Sequence, residues 1–435
     1  MEAFLTRKRK AADEPLAVDK APLDDDDDTD TKLAILGSLY PAYDQGVLLD
    51  YLLAYEGSVD KVLSALDPST TLSPRKKSAA TGYQSSLASF RSEDKATAGS
   101  SKRLAKKGQT LHLYSPQDVE NQTPCSIIHN FLPAAQADAL LTELLQDVQY
   151  FRRDEFQMFE RTVTSPHTMG FYVDTMLEVQ EQKDYYSYNG TYFNDVRQTK
   201  PEMLSVSRIV SAAVNKEIER RTRDFNPGGG KLKFQSTEEW RPNTSFVNCY
   251  DGGKESVGYH TDEPTYMGPR AVIGSLSLGV AREFRVRKIV PPDSPSSADE
   301  QGQIAIHLPH NSLLVMHADM QEEWKHSIAP AQTIDPHPIA GNKRLNITYR
   351  CFKDYLNPRL TIRCKCNVPG ILRCVQKARG NRGRYVWMCN RGYAPGQKSC
   401  GFFEWAKFDE DGRPPWAEGY KGNENLPVEV AKDDG

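Results

Sequence analysis

The stretch Arg344-Leu-Asn346-Ile-Thr348-Tyr-Arg350 decides the fold of the central part of this chain. Its polar and apolar residues alternate strictly, as in a β-strand with two different faces. One face carries the guanidinium groups of Arg344 and Arg350. Further short apolar runs precede it, at 244–250, 271–279, 282–289, 303–308 and 312–317. Regularly spaced short strands predict an all-β-rich core, a double-stranded β-helix or jelly roll, with flanking helices such as 134–150.

Two histidines and an aspartate lie ahead of this strand, as His260-Thr261-Asp262 and His326. Two imidazoles and one carboxylate on one face of a metal leave three positions open, which suits non-haem Fe(II). An arginine-rich strand beside such a site would bind a small dicarboxylate, because guanidinium groups pair with carboxylates bidentately. A His-x-Asp pair alone is a weak signal, but the order of these pieces strengthens it. We therefore predict His260, Asp262 and His326 as iron ligands and catalytic residues.

The chain from about Pro124 to Phe352 resembles the AlkB family of Fe(II)/2-oxoglutarate dioxygenases, which repair alkylated nucleobases. The matching segments are Asn248-Cys-Tyr250, His260-Thr-Asp262, Ile273–Gly279, Trp324-Lys-His326-Ser and the strand Arg344–Arg350. The resemblance implies that 2-oxoglutarate is bound by Asn248, Tyr250, Arg344, Asn346 and Arg350. It also implies the jelly-roll fold and oxidative demethylation of bases such as 1-methyladenine and 3-methylcytosine in DNA, with release of succinate, CO2 and formaldehyde.

Candidate base-contacting residues also follow from this resemblance. Tyr185-Tyr186-Ser-Tyr188-Asn-Gly190 is similar to an aromatic element of the family. It implies that Tyr188 stacks on the base and that Tyr186 offers a hydroxyl; the alternative is that both are ordinary core aromatics. DNA-repair members carry two acidic residues after the metal aspartate, whereas this chain has only Glu263 before a proline. We therefore expect Glu263 to contact the exocyclic amine of the base.

The C-terminal part of the chain is rich in cysteine. The residues Cys364, Cys366, Cys389 and Cys400 predict a structural zinc site, with Cys374 left over. Basic residues between them alternate with aromatic ones, a composition that suits single-stranded nucleic acid. Residues 361–408 resemble the GRF zinc finger, whose Gly-Arg-Phe element appears here as Gly383-Arg384-Tyr385. The resemblance implies single-strand binding in DNA repair; a purely structural zinc clasp is the alternative.

The N-terminal part contains one compact helical segment, residues 31–68, whose apolar spacing predicts three short helices. Leu39-Tyr40-Pro41, with Leu63 and Leu66, makes it resemble a CUE or UBA-type ubiquitin-binding module; a bundle without a ligand is the alternative. Residues 1–30 are predicted to be disordered, 69–122 to be a flexible linker and 409–435 to be a tail. The basic run Arg7-Lys-Arg-Lys10 is typical of a nuclear-import signal.

The whole-chain composition sets limits on function. The 435 residues carry a net charge of −3, so nucleic-acid contacts must come from local basic patches. No apolar run is long enough to span a membrane. We predict a nuclear enzyme with its dioxygenase domain at 123–357, with single-stranded DNA favoured as partner and ubiquitin as a candidate partner. The alternatives are the same chemistry on RNA and a non-catalytic adaptor for ubiquitin and nucleic acid.

Overall fold

The computed structural model describes residues 109–158, 161–188, 190–192, 195–290, 302–394 and 396–422, together with Leu36, Leu48, Leu52, Ser58 and Val62. The chain divides into two units, residues 1–92 and 93–435. In the first unit, the four described aliphatic residues are helical and buried. The rest of the predicted ubiquitin-binding module and the basic run at residues 7–10 lie outside the described residues.

The second unit contains strands and five α-helices in its described part. The strands are β1 (Thr110–Leu113), β2 (Cys125–His129), β3 (Glu155–Met158), β4 (Arg161–Thr164), β5 (Thr168–Val173), β6 (Ser187–Tyr188), β7 (Thr191–Tyr192), β8 (Val196–Gln198), β9 (Thr244–Asp251), β10 (Val257–His260), β11 (Ile273–Gly279), β12 (Arg282–Lys288), β13 (Gln303–Leu308), β14 (Ser312–Met316), β15 (Trp324–Ile328), β16 (Lys343–Arg350), β17 (Gly370–Cys374), β18 (Tyr385–Cys389) and β19 (Phe403–Trp405). The α-helices are α1 (Pro116–Gln122), α2 (Ala134–Leu145), α3 (Met176–Tyr185), α4 (Pro201–Phe225) and α5 (Met320–Glu323). Among the described helices, none is both long and apolar enough to cross a bilayer.

Two sheets face each other in this unit. The larger has the strand order β2-β14-β11-β16-β9-β5-β8, and the smaller has the order β1-β13-β12-β15-β10. Strands β9, β11, β14 and β16 therefore belong to the larger sheet, while β10, β12, β13 and β15 belong to the smaller. Neighbours among these strands pair antiparallel. This distribution over two sheets is the predicted jelly roll.

Two apolar layers determine which face of each strand points inward. One layer lies between the sheets and includes Phe246, Phe284 and Ile306. The other lies on the outer side of the larger sheet, where α2 and α4 cover Leu345 and Ile347 of β16. Burying such a side chain stabilises the fold by about 2 kcal/mol. A one-residue slip would turn both toward the space between the sheets and put the polar residues of β16 into the apolar outer layer. The polar residues of β16 consequently face the space between the sheets.

Residues 109–122 belong to the folded unit and not to the predicted linker. Strand β1 pairs in parallel with β13. Helix α1 begins after Ser115, whose hydroxyl accepts a hydrogen bond from the backbone N–H of Asp118 at 3.1 Å, as expected of an N-cap. The predicted linker boundary at residue 122 is therefore wrong, because residues 109–122 are folded. A four-residue strand that pairs with a distant partner has too little periodicity to be recognised in the sequence.

Residues 361–422, which we call the C-terminal domain, form the antiparallel sheet β17-β18-β19. The domain shares an apolar core with the end of the jelly-roll unit, formed by Leu356, Leu372, Tyr385, Trp387 and Phe408. Residues 409–422, predicted as tail, are part of this packing: the indole N–H of Trp416 donates to the Tyr355 carbonyl at 2.7 Å, and Asp409 is fully buried. The domain is therefore built onto the jelly-roll unit.

Glu322 of α5 lies buried under the C-terminal domain and should make stability depend on pH. The Tyr385 hydroxyl and the Arg270 backbone N–H donate to its Oε1, at 2.7 and 2.9 Å. Burial raises the pKa of Glu322 to about 7, although the Arg270 guanidinium and the Tyr385 hydroxyl lower it; Asp319 adds to the rise. A carboxyl group whose pKa is raised by folding stabilises the folded state below its unfolded pKa, and this contribution is lost as pH rises through about 7.

We expect the free energy of unfolding to fall by about 1 kcal/mol between pH 6 and pH 8 through Glu322 alone. The Glu322→Gln variant keeps the acceptor oxygen but cannot ionise, so it should lack this part of the pH dependence. Urea unfolding of both proteins at pH 6, 7 and 8 measures the difference. Equal pH slopes in the two proteins would contradict the prediction.

Candidate metal and cosubstrate site

His260, Asp262 and His326 converge at one end of the smaller sheet. His260 is the last residue of β10 and pairs directly with His326 on β15. The Nε2 atoms of the two histidines lie 3.8 and 4.0 Å from Oδ1 of Asp262, and the potential ligand atoms all lie within 4.8 Å of one another. The structure therefore brings the three predicted metal ligands together around a point that one ion can occupy.

The surroundings of the three side chains suit metal binding, which needs neutral imidazoles and an ionised carboxylate. Nδ1 of His260 lies 2.8 Å from the Gly258 carbonyl and can only donate there, so the neutral tautomer that fits this contact has its lone pair on Nε2. Burial lowers the pKa of His326 to about 3, so its imidazole is neutral. Burial alone would raise the pKa of Asp262, but the charge of Arg350, with those of the two imidazoles when they are protonated, outweighs burial and holds that pKa at about 2.

Two other clusters of histidine and carboxylate occur in the described part of the chain. They are His112, Glu283 and His307, and Asp138, His310 and His337. In the second, Nδ1 of each histidine accepts a backbone N–H, so the proton resides on Nε2 and neither ring offers a lone pair. In the first, Glu283 already binds Arg285 at 2.7 Å. The cluster around Asp262 is better prepared for a metal than either.

Arg344 points between the sheets with most of its donors unpaired. Its side chain is almost fully buried, at 1% exposure, and its Nη2 donates to Ser277 Oγ at 2.9 Å. Nε and Nη1 are buried and have no hydrogen-bond partner among the described residues. Burial lowers the pKa of Arg344 to about 10, so the group stays charged at neutral pH. A buried cation with two unpaired donors fits a carboxylate, which supplies both charge and acceptors.

Asn248 and Tyr250 lie on β9 beside the arginine strand. Tyr250 is paired with Arg344 and Asn248 with Asn346 in the sheet register. Cζ of Arg344 lies 5.3 Å from the centre of the Tyr250 ring. His167 stacks on the same ring at 4.8 Å and binds Asn248 Oδ1 through Nε2 at 3.2 Å. His167 belongs to this site but had no predicted role, because no metal-ligand spacing includes it.

Arg350 and Asn346 have protein partners that limit their predicted role toward a cosubstrate. Nη2 of Arg350 lies 3.2 Å from Asp262 Oδ1, so this guanidinium orients the metal ligand; its Nη1 is buried without a partner among the described residues. The Asn346 amide donates to Ser275 Oγ and the Leu276 carbonyl, at 2.8 and 3.2 Å. Asn346 thus joins β16 to β11, and of the two only Arg350 keeps an N–H without a partner.

The two predicted base-contacting tyrosines lie in different surroundings. The Tyr186 ring packs against Tyr266 and Phe352, with centroids 4.8 and 6.0 Å away, and it lines a cleft that contains none of the three metal-site residues. Burial raises the pKa of Tyr188, while the nearby Arg350 charge lowers it and the Asp262 charge raises it. The Tyr188 ring also contacts Phe246, with centroids 5.6 Å apart, and the Arg350 guanidinium lies 4.2 Å from the centre of the same Phe246 ring. Tyr188 therefore lies near the arginine that binds Asp262, whereas Tyr186 packs as a core residue.

Glu263 is engaged by neighbouring side chains. Its Oε2 lies 3.3 Å from Nη2 of Arg373, a residue of the C-terminal domain. Its Oε1 accepts a hydrogen bond from the Thr265 hydroxyl. Because both oxygens have protein partners, the carboxylate is less available to read the exocyclic amine of a base than the sequence predicts.

The four predicted zinc ligands also converge. The sulfur atoms of Cys364, Cys366, Cys389 and Cys400 lie within 4.8 Å of one another. Cys374 lies apart from them, with its sulfur 3.8 Å from the Val375 carbonyl, and burial raises its pKa to about 12. Four thiols at this separation fit the tetrahedral coordination of zinc.

Two residues that hold the site were not identified from the sequence. Gln321 accepts the backbone N–H of Asp262 through Oε1 at 2.7 Å. Arg282 donates to the carbonyls of Gly252, Gly253, Glu255 and Ala329, at 2.6 to 3.3 Å. Gln321 and Arg282 both bind backbone groups. Because every residue has such groups, no sequence motif identifies these partners.

Parts of this chain are similar to known proteins. Residues 124–350 match the family model of the 2OG-Fe(II) oxygenase superfamily. The chain is 33% identical over 129 residues to the mouse (Mus musculus) alpha-ketoglutarate-dependent dioxygenase alkB homolog 3, a match to 30% of this chain and 42% of that protein. It is 26% identical over 220 residues to the human DNA oxidative demethylase ALKBH2, covering 50% and 69%. The solved structure of OsALKBH1 aligns with 53% of this chain and 99% of its own at 16% identity and a TM-score of 0.35. The chain thus spans less than half the length of the first of these relatives.

Proposed function

The chain belongs to the 2OG-Fe(II) oxygenase superfamily, and on that premise we propose that it removes alkyl groups from bases in nucleic acid, with DNA as the favoured substrate. The observation that carries the proposal is a preformed cluster of two histidines and one carboxylate in the same site as a buried arginine whose Nε and Nη1 have no partner among the described residues. The first fits Fe(II) and the second fits the distal carboxylate of 2-oxoglutarate. One relative is named a DNA oxidative demethylase, which supports DNA.

The protein residues would bind and orient the reactants. Iron with 2-oxoglutarate and dioxygen supplies the oxidation of an N-methyl carbon, which leaves as formaldehyde, while the cosubstrate becomes succinate and CO2. His260, His326 and Asp262 would hold the iron, and Arg350 would keep the carboxylate of Asp262 ionised and oriented. Arg344 would bind the cosubstrate and exclude ketones that lack a second carboxylate.

Tyr188 is the residue that we assign to the base. Its ring packs against Phe246, which also contacts the Arg350 guanidinium that binds Asp262, so a base extruded from its stack could lie against it within reach of the iron. Tyr186 is not included because its ring is packed in the core. Glu263 is not assigned to base reading because Arg373 and Thr265 bind its two oxygens.

Formaldehyde release from a single-stranded DNA oligomer that contains 3-methylcytosine tests the proposal. Release should require both iron and 2-oxoglutarate. A matched RNA oligomer, assayed in parallel, distinguishes the two substrates: faster turnover of RNA would overturn the preference for DNA. A protein that neither binds iron nor consumes 2-oxoglutarate would instead be the non-catalytic adaptor.

The C-terminal domain would bind zinc through its four cysteines and single-stranded nucleic acid through its outer face. The guanidinium of Arg384 lies 3.8 Å over the Trp405 ring. Phe403 is 53% exposed and contacts Trp405 edge to face, with centroids 5.1 Å apart. A cation stacked beside an exposed ring offers a phosphate contact and a base-stacking platform together.

Substitutions on this face should separate charge from stacking. We expect Arg384→Ala and Phe403→Ala each to weaken binding of a single-stranded oligomer about 10-fold. Only Arg384→Ala should also reduce the dependence of affinity on salt, by about 0.7 in the logarithmic slope, because only it removes a phosphate contact. Fluorescence anisotropy at several salt concentrations measures both quantities. If both variants bound the oligomer with wild-type affinity, the role of the domain would be purely structural.

Ubiquitin binding by residues 31–68 and nuclear localisation through residues 7–10 complete the proposal. Both rest on sequence resemblance, supported for the module by the helical, buried Leu36, Leu48, Leu52 and Val62. Together the flanking modules would recruit the enzyme to damaged DNA. Titration of the isotope-labelled full chain with ubiquitin tests the first point, and unperturbed spectra would overturn it.

A further inference from the structure

The C-terminal domain contacts the loop that carries Asp262. Arg373 on β17 pairs with Glu263, the next residue along the chain, at 3.3 Å. The Leu372 backbone N–H donates to Thr265 Oγ1 at 3.1 Å, and the Thr265 hydroxyl donates in turn to Glu263. One strand of the cysteine-rich sheet therefore holds the segment that immediately follows the metal ligand.

A second connection reaches Asp262 through Gln321. Nε2 of Gln376 donates to the Gln321 carbonyl at 3.0 Å. The side chain of Gln321, which is 4% exposed, accepts the Asp262 backbone N–H at 2.7 Å. Gln321 thus holds the backbone of Asp262, and Gln376 of the C-terminal domain holds Gln321.

The same domain also borders the hairpin that carries Tyr188. Nδ2 of Asn390 donates to Ser187 Oγ at 2.8 Å. Gly190 has a positive φ of 76°, and a Cβ atom there would lie 2.4 Å from the backbone nitrogen of Ala394. The backbones approach too closely at this point for any side chain. The domain therefore contacts two segments of the site, the metal loop and the aromatic hairpin.

We propose that Arg373 and Gln376 are positioning residues of the iron site. This inference rests on the proposed function. Arg373 acts on the metal triad through Glu263, and Gln376 acts on it through Gln321. Groups that orient a metal ligand from outside commonly change metal affinity 10- to 100-fold when they are removed.

The test is Mn(II) affinity, with Mn(II) as a redox-stable probe of the iron site in zinc-loaded full-length protein. Free Mn(II) is followed by electron paramagnetic resonance, and His260→Ala defines binding elsewhere. We expect Arg373→Ala to weaken binding about 10-fold and Arg373→Lys to recover part of that loss. In a cycle with Glu263→Gln, the double variant should bind no more weakly than Arg373→Ala, because both changes break one contact.

Lys407→Ala, which removes an exposed charge of the same domain, is the control and should bind Mn(II) like the wild type. Zinc content and thermal unfolding show that each variant keeps its fold. Gln376→Ala provides an independent variant should Arg373→Ala lose zinc. Wild-type affinity in folded Arg373→Ala and Gln376→Ala would overturn this inference alone. A wild-type protein without a Mn(II) site that depends on His260 would overturn the proposed function, and this inference with it.

Discussion

Replacing His260 with alanine should lower 2-oxoglutarate-dependent turnover by at least roughly 1000-fold, equivalent to about 4 kcal/mol of transition-state stabilisation. His260 is the most suitable ligand to remove because its side chain is 39% exposed, against 6% for Asp262 and 7% for His326. Loss of Asp262 would leave the buried Arg350 guanidinium without the negative charge that balances it. Loss of His326 would leave a cavity. Formaldehyde and succinate release measure the effect.

A matched histidine provides the control for this experiment. His112 also belongs to a cluster of two histidines and a carboxylate, and its side chain is 40% exposed. His112→Ala should therefore turn over like the wild type if only the cluster around Asp262 binds the catalytic metal. Equal losses in both variants would indicate a general sensitivity of the fold. Wild-type turnover in His260→Ala would show that His260 is not a ligand of the catalytic metal.

The sequence was sufficient where a role depends on local periodicity. The alternation of β16 predicted that Arg344 and Leu345 face opposite sides of the sheet, and the structure confirms it with Leu345 in the outer apolar layer. This succeeds because the two-residue period of a strand comes from the backbone and holds in any context. Helix α4 was missed although its buried Val206, Val210 and Val214 repeat at four-residue intervals, a spacing that could have identified it.

Partners that come from distant segments could not be predicted. Nothing near Glu263 in the sequence indicates that Arg373, in another domain, would bind it. The partners of Asn346 were equally unpredictable. Its position in the sequence predicts a cosubstrate ligand, but its side-chain amide donates to residues of β11. Such contacts depend on how elements pack after they form, and neither periodicity nor motif spacing carries that information.

Substitution of Arg344 by lysine should raise the apparent KM for 2-oxoglutarate roughly 100-fold, or about 3 kcal/mol, with a much smaller change in kcat. Lysine keeps the charge but replaces a planar fork of donors with a single ammonium group on a differently shaped stem. It also loses the hydrogen bond to Ser277 that fixes the guanidinium plane. Initial rates over a range of cosubstrate concentrations, with the methylated oligomer saturating, measure the change.

The cosubstrate itself supplies the decisive comparison. 2-Oxobutyrate keeps the 2-oxo acid group that would bind the iron but lacks the distal carboxylate. The wild type should therefore turn over far more slowly with 2-oxobutyrate than with 2-oxoglutarate. Arg344→Lys should reduce this difference in turnover between the two oxo acids. Arg282→Lys is the matched control, since Arg282 is also buried near Tyr250 but donates to backbone carbonyls. It should lower thermal stability while leaving the preference between the two oxo acids unchanged. If Arg344→Lys lowered turnover with both oxo acids equally, the buried guanidinium would stabilise the structure of the site and would not bind the distal carboxylate.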